Sequence, residues 1–172
     1  MAGRNVAKSW VVAAAVALSL GGCASDFDDP GPIGRHAPGA NPRIVRGSAP
    51  LQCVPYARDH SGVRIWGDAV SWWSKAAGRF ERSSSPEPGA IIVIRGYDGD
   101  ERGHLAVVRR VLNDREIVVD HANWLNTGEI SLDNPIMDVS GDNDWSEVRV
   151  WYAPGRHYGG RVYQVQGFIL GS

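Results

Sequence analysis

"AIIVIR" at residues 90–95, "HLAVVRRVL" at 104–112 and "REIVVDHANW" at 115–124 are three β-branched runs in close succession. Val and Ile are stiff at χ1 and fit a pleated surface, so each run reads as a strand. The stretches between them, "GYDGDERG" (96–103) and "ND" (113–114), are rich in turn-forming residues and suit an antiparallel meander. "SEVRVWYA" (146–153) and "RVYQVQGFIL" (161–170) read as later strands. Upstream lie two helical patterns. Cys53 to Asp59 begins one, because Pro55 suits a first turn where its missing N–H costs nothing, and "HSG" stops it. "GDAVSWWSKAAG" (67–78) is the other, with Asp68 as N-cap and Gly78 as stop. Helices first and strands afterwards predict an α+β domain, its N-terminal helices packed on one face of an antiparallel β-sheet.

A chain of 172 residues has room for one domain of ordinary size beside a targeting segment. Hydrophobic residues make up 43%, charged residues 22%, and the formal net charge is −1, which removes the electrostatic footprint a nucleic-acid binder needs. A monomer is expected.

The N-terminus carries Arg4 and Lys8 without an acidic residue, then the apolar run "WVVAAAVALSL" at 10–20. This run is shorter than the roughly 20 residues that span a bilayer, and its length suits the apolar part of a secretory signal. Leu20-Gly21-Gly22-Cys23 follows at once and resembles the lipobox of bacterial lipoproteins, in which the cysteine is acylated and becomes the mature N-terminus. Residues 1–22 are therefore expected to be a lipoprotein signal peptide and Cys23 the lipidation site. The stretch 23–47, containing "PGPIGRHAPGANPRIV", reads as a flexible Pro/Gly-rich linker with His36 solvated. Residues 48–170 are the expected catalytic domain, lipid-anchored to a membrane of the cell envelope and facing the periplasm.

Two cysteines are present, and Cys23 sits at the edge of the apolar run, so Cys53 is not expected in a disulfide. At a helix start, unpaired N–H groups and the positive end of the macrodipole favour its thiolate, the form that attacks carbonyls. His104 opens the second strand and His121 lies in the third. Strict alternation places Val119, His121 and Asn123 on one face, with Asp120, Ala122 and Trp124 on the other. A nucleophile, a base and a polar residue to orient that base are then available. Alone, a free cysteine is more often a small buried hydrophobe and a strand histidine a packed one; the combination carries the reading. Gly103 before His104 is expected to permit close backbone approach by a substrate.

"LQCVPYAR", "PGAIIVI", "GHLAVV" and "DHANW", in this order, resemble a CHAP domain, the cysteine- and histidine-dependent amidohydrolase/peptidase family of papain-like fold. The resemblance implies cleavage of peptidoglycan amide bonds, between N-acetylmuramic acid and L-alanine or within the stem peptide or cross-bridge. It implies Cys53 as nucleophile and His104 as general base. Many members carry a glutamate where this chain has His121; related NlpC-type hydrolases have a histidine as third member, which favours His121 over Asn123 as the orienting residue. Gln52 is implied as an oxyanion contributor beside the Cys53 N–H.

No HExxH or CxxC motif occurs, so neither metal nor cofactor is expected. His60 reads as surface, His157 as a turn residue without a partner, and the tryptophans as packing. The alternative is a catalytically silent wall-binding or scaffolding lipoprotein. The paired cysteine and histidine, which a binding module does not need, argue against it.

Overall fold

The computed structural model describes residues 35–99 and 101–171. The expected signal peptide, Cys23 and residues 23–34 of the expected linker lie outside them. Among the described residues nine strands are present: β1 (Arg43–Val45), β2 (Glu81–Ser83), β3 (Ile91–Arg95), β4 (Gly103–Asn113), β5 (Glu116–Ala122), β6 (Ile130–Asp138), β7 (Glu147–Tyr152), β8 (His157–Tyr158) and β9 (Tyr163–Leu170). The helical elements are α1 (Cys53–His60), a 3-10 turn (Ala69–Ser71) and α2 (Trp72–Ala76).

The meander from β3 through β6 is antiparallel throughout, as the β-branched runs predict. The architecture around it corrects the expectation of a papain-like α+β layer structure. β9 returns to pair with β3, β7 pairs with β9, and β7 also pairs with β6, so β6-β5-β4-β3-β9-β7 closes into a six-stranded barrel. Among the described residues, strands hold 40% and helices 12%, too little helix for a separate layer. The physical reason is the edge: an open sheet leaves unpaired N–H and C=O groups on β6 and β9, and closure through β7 satisfies both rows.

The barrel interior is filled by Ile92, Ile94, Ala106, Val108, Ile117, Val119, Ile136, Val148 and Phe168. On the outside of β3 and β4, Ile91, Val93, Leu105 and Val107 pack with Tyr56 and Ala57 of α1 and with Trp72 and Ala76 of α2. β3 and β4 thus bury both faces, which explains their nearly continuous apolar sequence.

A Cβ at Gly103 would lie 2.6 Å from the Val70 backbone nitrogen, so the glycine admits the 3-10 turn, and Gly103 also lines the cavity that Cys53 and His104 border. Residues 35–47 run along the barrel: β1 pairs with β6, the Ala37 N–H donates to Glu116 at 2.8 Å, and the half-buried His36 ring lies edge-on to Trp151.

Candidate active site

α1 starts where the sequence predicts, with Cys53 its first residue. Gln52 precedes the helix in extended conformation, and its carbonyl accepts the Tyr56 N–H at 3.2 Å. The Leu51 N–H donates to the Gly128 carbonyl at 3.0 Å, which ties the approach to α1 against the loop after β5. Contact between α1 and β4 through Tyr56, Ala57, Leu105 and Val107 then sets the thiol beside the start of β4.

A cavity of about 400 Å³ opens there, lined among others by Gln52, Cys53, Tyr97, Arg102, His104 and Asn123. His104 and His121 are both buried, and His104 Nε2 lies 2.8 Å from His121 Nδ1. The other nitrogen of His121, Nε2, faces Asn134 Nδ2 at 3.2 Å. With Nε2 of His104 engaged, Nδ1 is the ring nitrogen left without a hydrogen-bond partner among the described residues. Trp124 packs edge-on to His104, with centroids 4.7 Å apart, and stacks on His121 at 5.5 Å. Tyr97 completes the aromatic surround, 5.1 Å from His104 and 4.9 Å from Trp124.

Alternation fails at the end of β5. Asn123 has φ 61°, outside the extended region, so the strand ends at Ala122 and the next side chains change sides. Trp124 joins the interior beside His121, whereas Asn123 turns outward and donates its amide N–H to Gln52 Oε1 at 2.7 Å. The Tyr97 hydroxyl fixes this turn by donating to the Asn123 carbonyl at 3.0 Å and accepting the Leu125 N–H at 2.8 Å. His104 and His121 are therefore paired, Cys53 and His104 share a cavity, and Asn123 is paired with Gln52 instead of with His104. Asp120, read as structural, accepts the Asp133 N–H and pairs with Arg109. Among the described residues, no group of three or more His, Cys, Asp or Glu is arranged to hold a metal ion.

Residues 45–123 match the model of the CHAP domain family. No curated protein matches the chain. The CHAP match supports the resemblance carried by the four motifs, and it takes in Gln52, Cys53, His104, His121 and Asn123. It ends before β6, so Asn134, which contacts His121 from that strand, lies beyond the CHAP segment.

Electrostatics set the resting state of the candidate site. Burial holds His104 well below the ordinary imidazole value, and the neighbouring His121 lowers it further. Burial alone takes His121 down to about 3. Burial also pushes the Cys53 thiol up, only partly offset by the backbone amides of Leu105, Val54 and Cys53 and by the Arg102 charge. The thiolate expected from the helix start is thus not the resting form, because desolvation outweighs the first-turn N–H groups. The site rests as a thiol beside two neutral imidazoles.

Sequence reading missed Tyr97 and Asn134. Tyr97 stands in a turn-rich stretch with no periodicity to assign its side. Asn134 lies in β6, whose "ISLDNPIMD" mixes polar residues and Pro135 and lacks a strand pattern. The β5–β6 register shifts between Val119 and His121, where Asp133 takes φ 57°. This bulge accompanies the turn of Asn134 toward His121.

Proposed function

We propose that this protein is a cysteine amidohydrolase or peptidase that cleaves an amide bond of peptidoglycan, with Cys53 as nucleophile, His104 as general base and His121 as the residue that orients it. The observation that carries this reading is the buried His104–His121 pair, 2.8 Å between ring nitrogens, bordering the cavity that Cys53 lines. Hydrolase activity is what the CHAP match suggests; the bond class is the finer part of the proposal.

The chemistry begins as His104 Nδ1 takes the thiol proton, leaving the electron pair on sulfur. The sulfur bonds to the amide carbon, and the carbonyl electrons move to oxygen. The Cys53 backbone N–H, among the unpaired first-turn donors of α1, and the Gln52 side-chain amide N–H are the donors for this oxyanion. Gln52 is suited because its Oε1 is engaged by Asn123, which directs its NH2 group away from Asn123. The C–N bond then breaks, the amine leaves with the proton held by His104, and a thioester remains. Water, deprotonated at His104, hydrolyses the thioester and restores the thiol. His121 accepts the His104 Nε2–H while the imidazolium exists, the step in which a neutral partner matters most.

Purified protein incubated with defined muropeptides, its products read by mass, tests this directly. Cys53→Ala is expected to abolish turnover while the circular dichroism spectrum and melting temperature remain close to wild type, because only one sulfur atom is removed. Turnover by the alanine variant at the wild-type rate sinks the nucleophile assignment. A cell-envelope location with acylated Cys23 is part of the same proposal, supported by the lipobox-like sequence.

A further inference from the structure

The hydrogen bonds behind the candidate site run in one direction. Asn134 is buried on β6, and its Nδ2 lies 3.1 Å from the Trp151 carbonyl oxygen and 3.2 Å from His121 Nε2. A carbonyl only accepts, so the group facing Trp151 must be the amide NH2, and its second N–H then points at His121 Nε2. That nitrogen must accept. His121 consequently carries its proton on Nδ1 and donates it to His104 Nε2, 2.8 Å away. His104 Nε2 accepts in turn, which leaves the proton of neutral His104 on Nδ1, the nitrogen with no partner among the described residues.

We propose that Asn134 is a positioning residue that sets the tautomers of both histidines, holding the relay in a resting arrangement in which His104 presents N–H, and not a lone pair, to the side of Cys53. This rests on the proposed roles of Cys53 and His104 for its consequence, although the tautomers themselves do not depend on them. With Nδ1 protonated, His104 cannot take the thiol proton. The relay becomes competent when the Asn134 amide turns over and offers Oδ1 to His121. In that arrangement each ring carries its single proton on Nε2 in place of Nδ1, water acting as the proton carrier for the exchange: His121 Nε2–H donates to Asn134 Oδ1, His104 Nε2–H donates to His121 Nδ1, and His104 Nδ1 is a free lone pair. No proton is gained or lost. The exchange gives up the Asn134 hydrogen bond to Trp151, and this holds the resting arrangement. The Asn134 oxygen is correspondingly among the buried polar atoms that have no hydrogen-bond partner among the described residues.

The experiment labels the histidines of the full chain with 15N and reads, by two-bond proton–nitrogen correlation at neutral pH, which nitrogen of each ring is protonated. Wild type is expected to show Nδ1–H on both His121 and His104. Asn134→Leu, which keeps the branching of Asn, removes the donor and is expected to shift His121 toward the Nε2–H form. Asn134→Asp supplies an acceptor and is expected to place His121 in the Nε2–H form outright. Nε2–H on His121 in the wild type overturns the proposal, as do unchanged tautomers in both variants. Should the variants fail to fold, the wild-type spectrum still decides. A wild type that shows Nδ1–H on both rings but never cleaves muropeptides would sustain the tautomer assignment and count against the hydrolase reading, so the two failures are distinguishable.

Discussion

The CHAP resemblance implies a glutamate in many members where this chain has His121, and the surroundings of His121 define what each replacement there does. His121→Ala removes the acceptor for His104 Nε2–H and opens a void beside Trp124. The expected result is a fall in kcat of roughly 10² to 10⁴ with little change in KM, because the lost interaction is strongest when His104 is charged. His121→Glu is expected to retain much of the activity: a carboxylate accepts both the His104 Nε2–H and the Asn134 N–H, so it also suits the fixed amide. Asn123→Ala breaks the bond to Gln52 instead and is expected to raise KM and lower the melting temperature more than it lowers kcat. Steady-state kinetics with melting curves on the three variants decide the matter; an active His121→Ala beside a folded, inactive Asn123→Ala would transfer the orienting role to Asn123. The two buried rings also set an acid limit on stability. Once unfolded, each takes up a proton below its ordinary value of 6.5, whereas the folded protein keeps His121 neutral to about 3 and His104 neutral well below 6.5. The unfolded chain then holds more protons, and stability falls as pH drops below 6.5, by up to about 1.4 kcal/mol per pH unit for each ring. Melting temperature is expected to decline between pH 6.5 and 5, with a shallower slope in His121→Gln; a flat wild-type profile over that window contradicts the assignment.

At the scale of elements, what the sequence made legible was local. The β-branched runs predict β3, β4 and β5 and their antiparallel order, and Pro55 with "HSG" predicts α1 with Cys53 at its start. These patterns depend only on neighbours within a few residues. Closure of the barrel depends on β6 meeting β7 and on β9 crossing back to β3, pairings whose signal is spread over distant segments and, in β6, obscured by Asn134 and Pro135. The site was legible to the same extent: Cys53, His104 and His121 follow from position in predicted elements, whereas the side on which Asn123 and Trp124 fall depends on a positive φ that no alternation rule contains. Gly103 gives the element scale its prediction. Its missing Cβ lets the Ala69–Ser71 turn lie against the first residue of β4, one residue before His104. Gly103→Ala is expected to push the turn away, costing about 1–3 kcal/mol by overpacking and lowering kcat through displacement of His104. Unchanged melting temperature and turnover in this variant would show that the turn gives way freely.

At the scale of the whole molecule, the barrel reaches further toward the N-terminus than composition suggests. Both carboxylate oxygens of Glu116 lie 2.8 Å from the Ala37 N–H, the Tyr158 hydroxyl donates to the same carboxylate at 2.5 Å, and β1 adds a ladder to β6. Among the described residues the docked part already includes His36, so a lipid on Cys23 would be joined to it by at most about a dozen residues. At roughly 3.3–3.6 Å per residue, these reach at most about 40 Å even when fully extended. A free linker running to residue 47 would reach about twice as far. An anchor of this kind would hold the candidate cavity within one short tether of the membrane surface and, with the proposed hydrolase activity, would confine cleavage to wall material inside that distance. Cys23→Ser is expected to release the protein from the membrane fraction and to abolish acyl mass on the N-terminus, while turnover of soluble muropeptides by the purified variant stays at the wild-type rate, since the barrel and its site begin downstream. Lengthening the tether by a Gly/Ser insert between residues 28 and 29 leaves anchoring intact and extends the reach, so digestion of intact wall by anchored protein is expected to rise. Equal membrane retention of Cys23→Ser, or wild-type protein of unmodified mass, removes the anchor from the proposal; equal wall digestion with and without the insert removes the limit on reach.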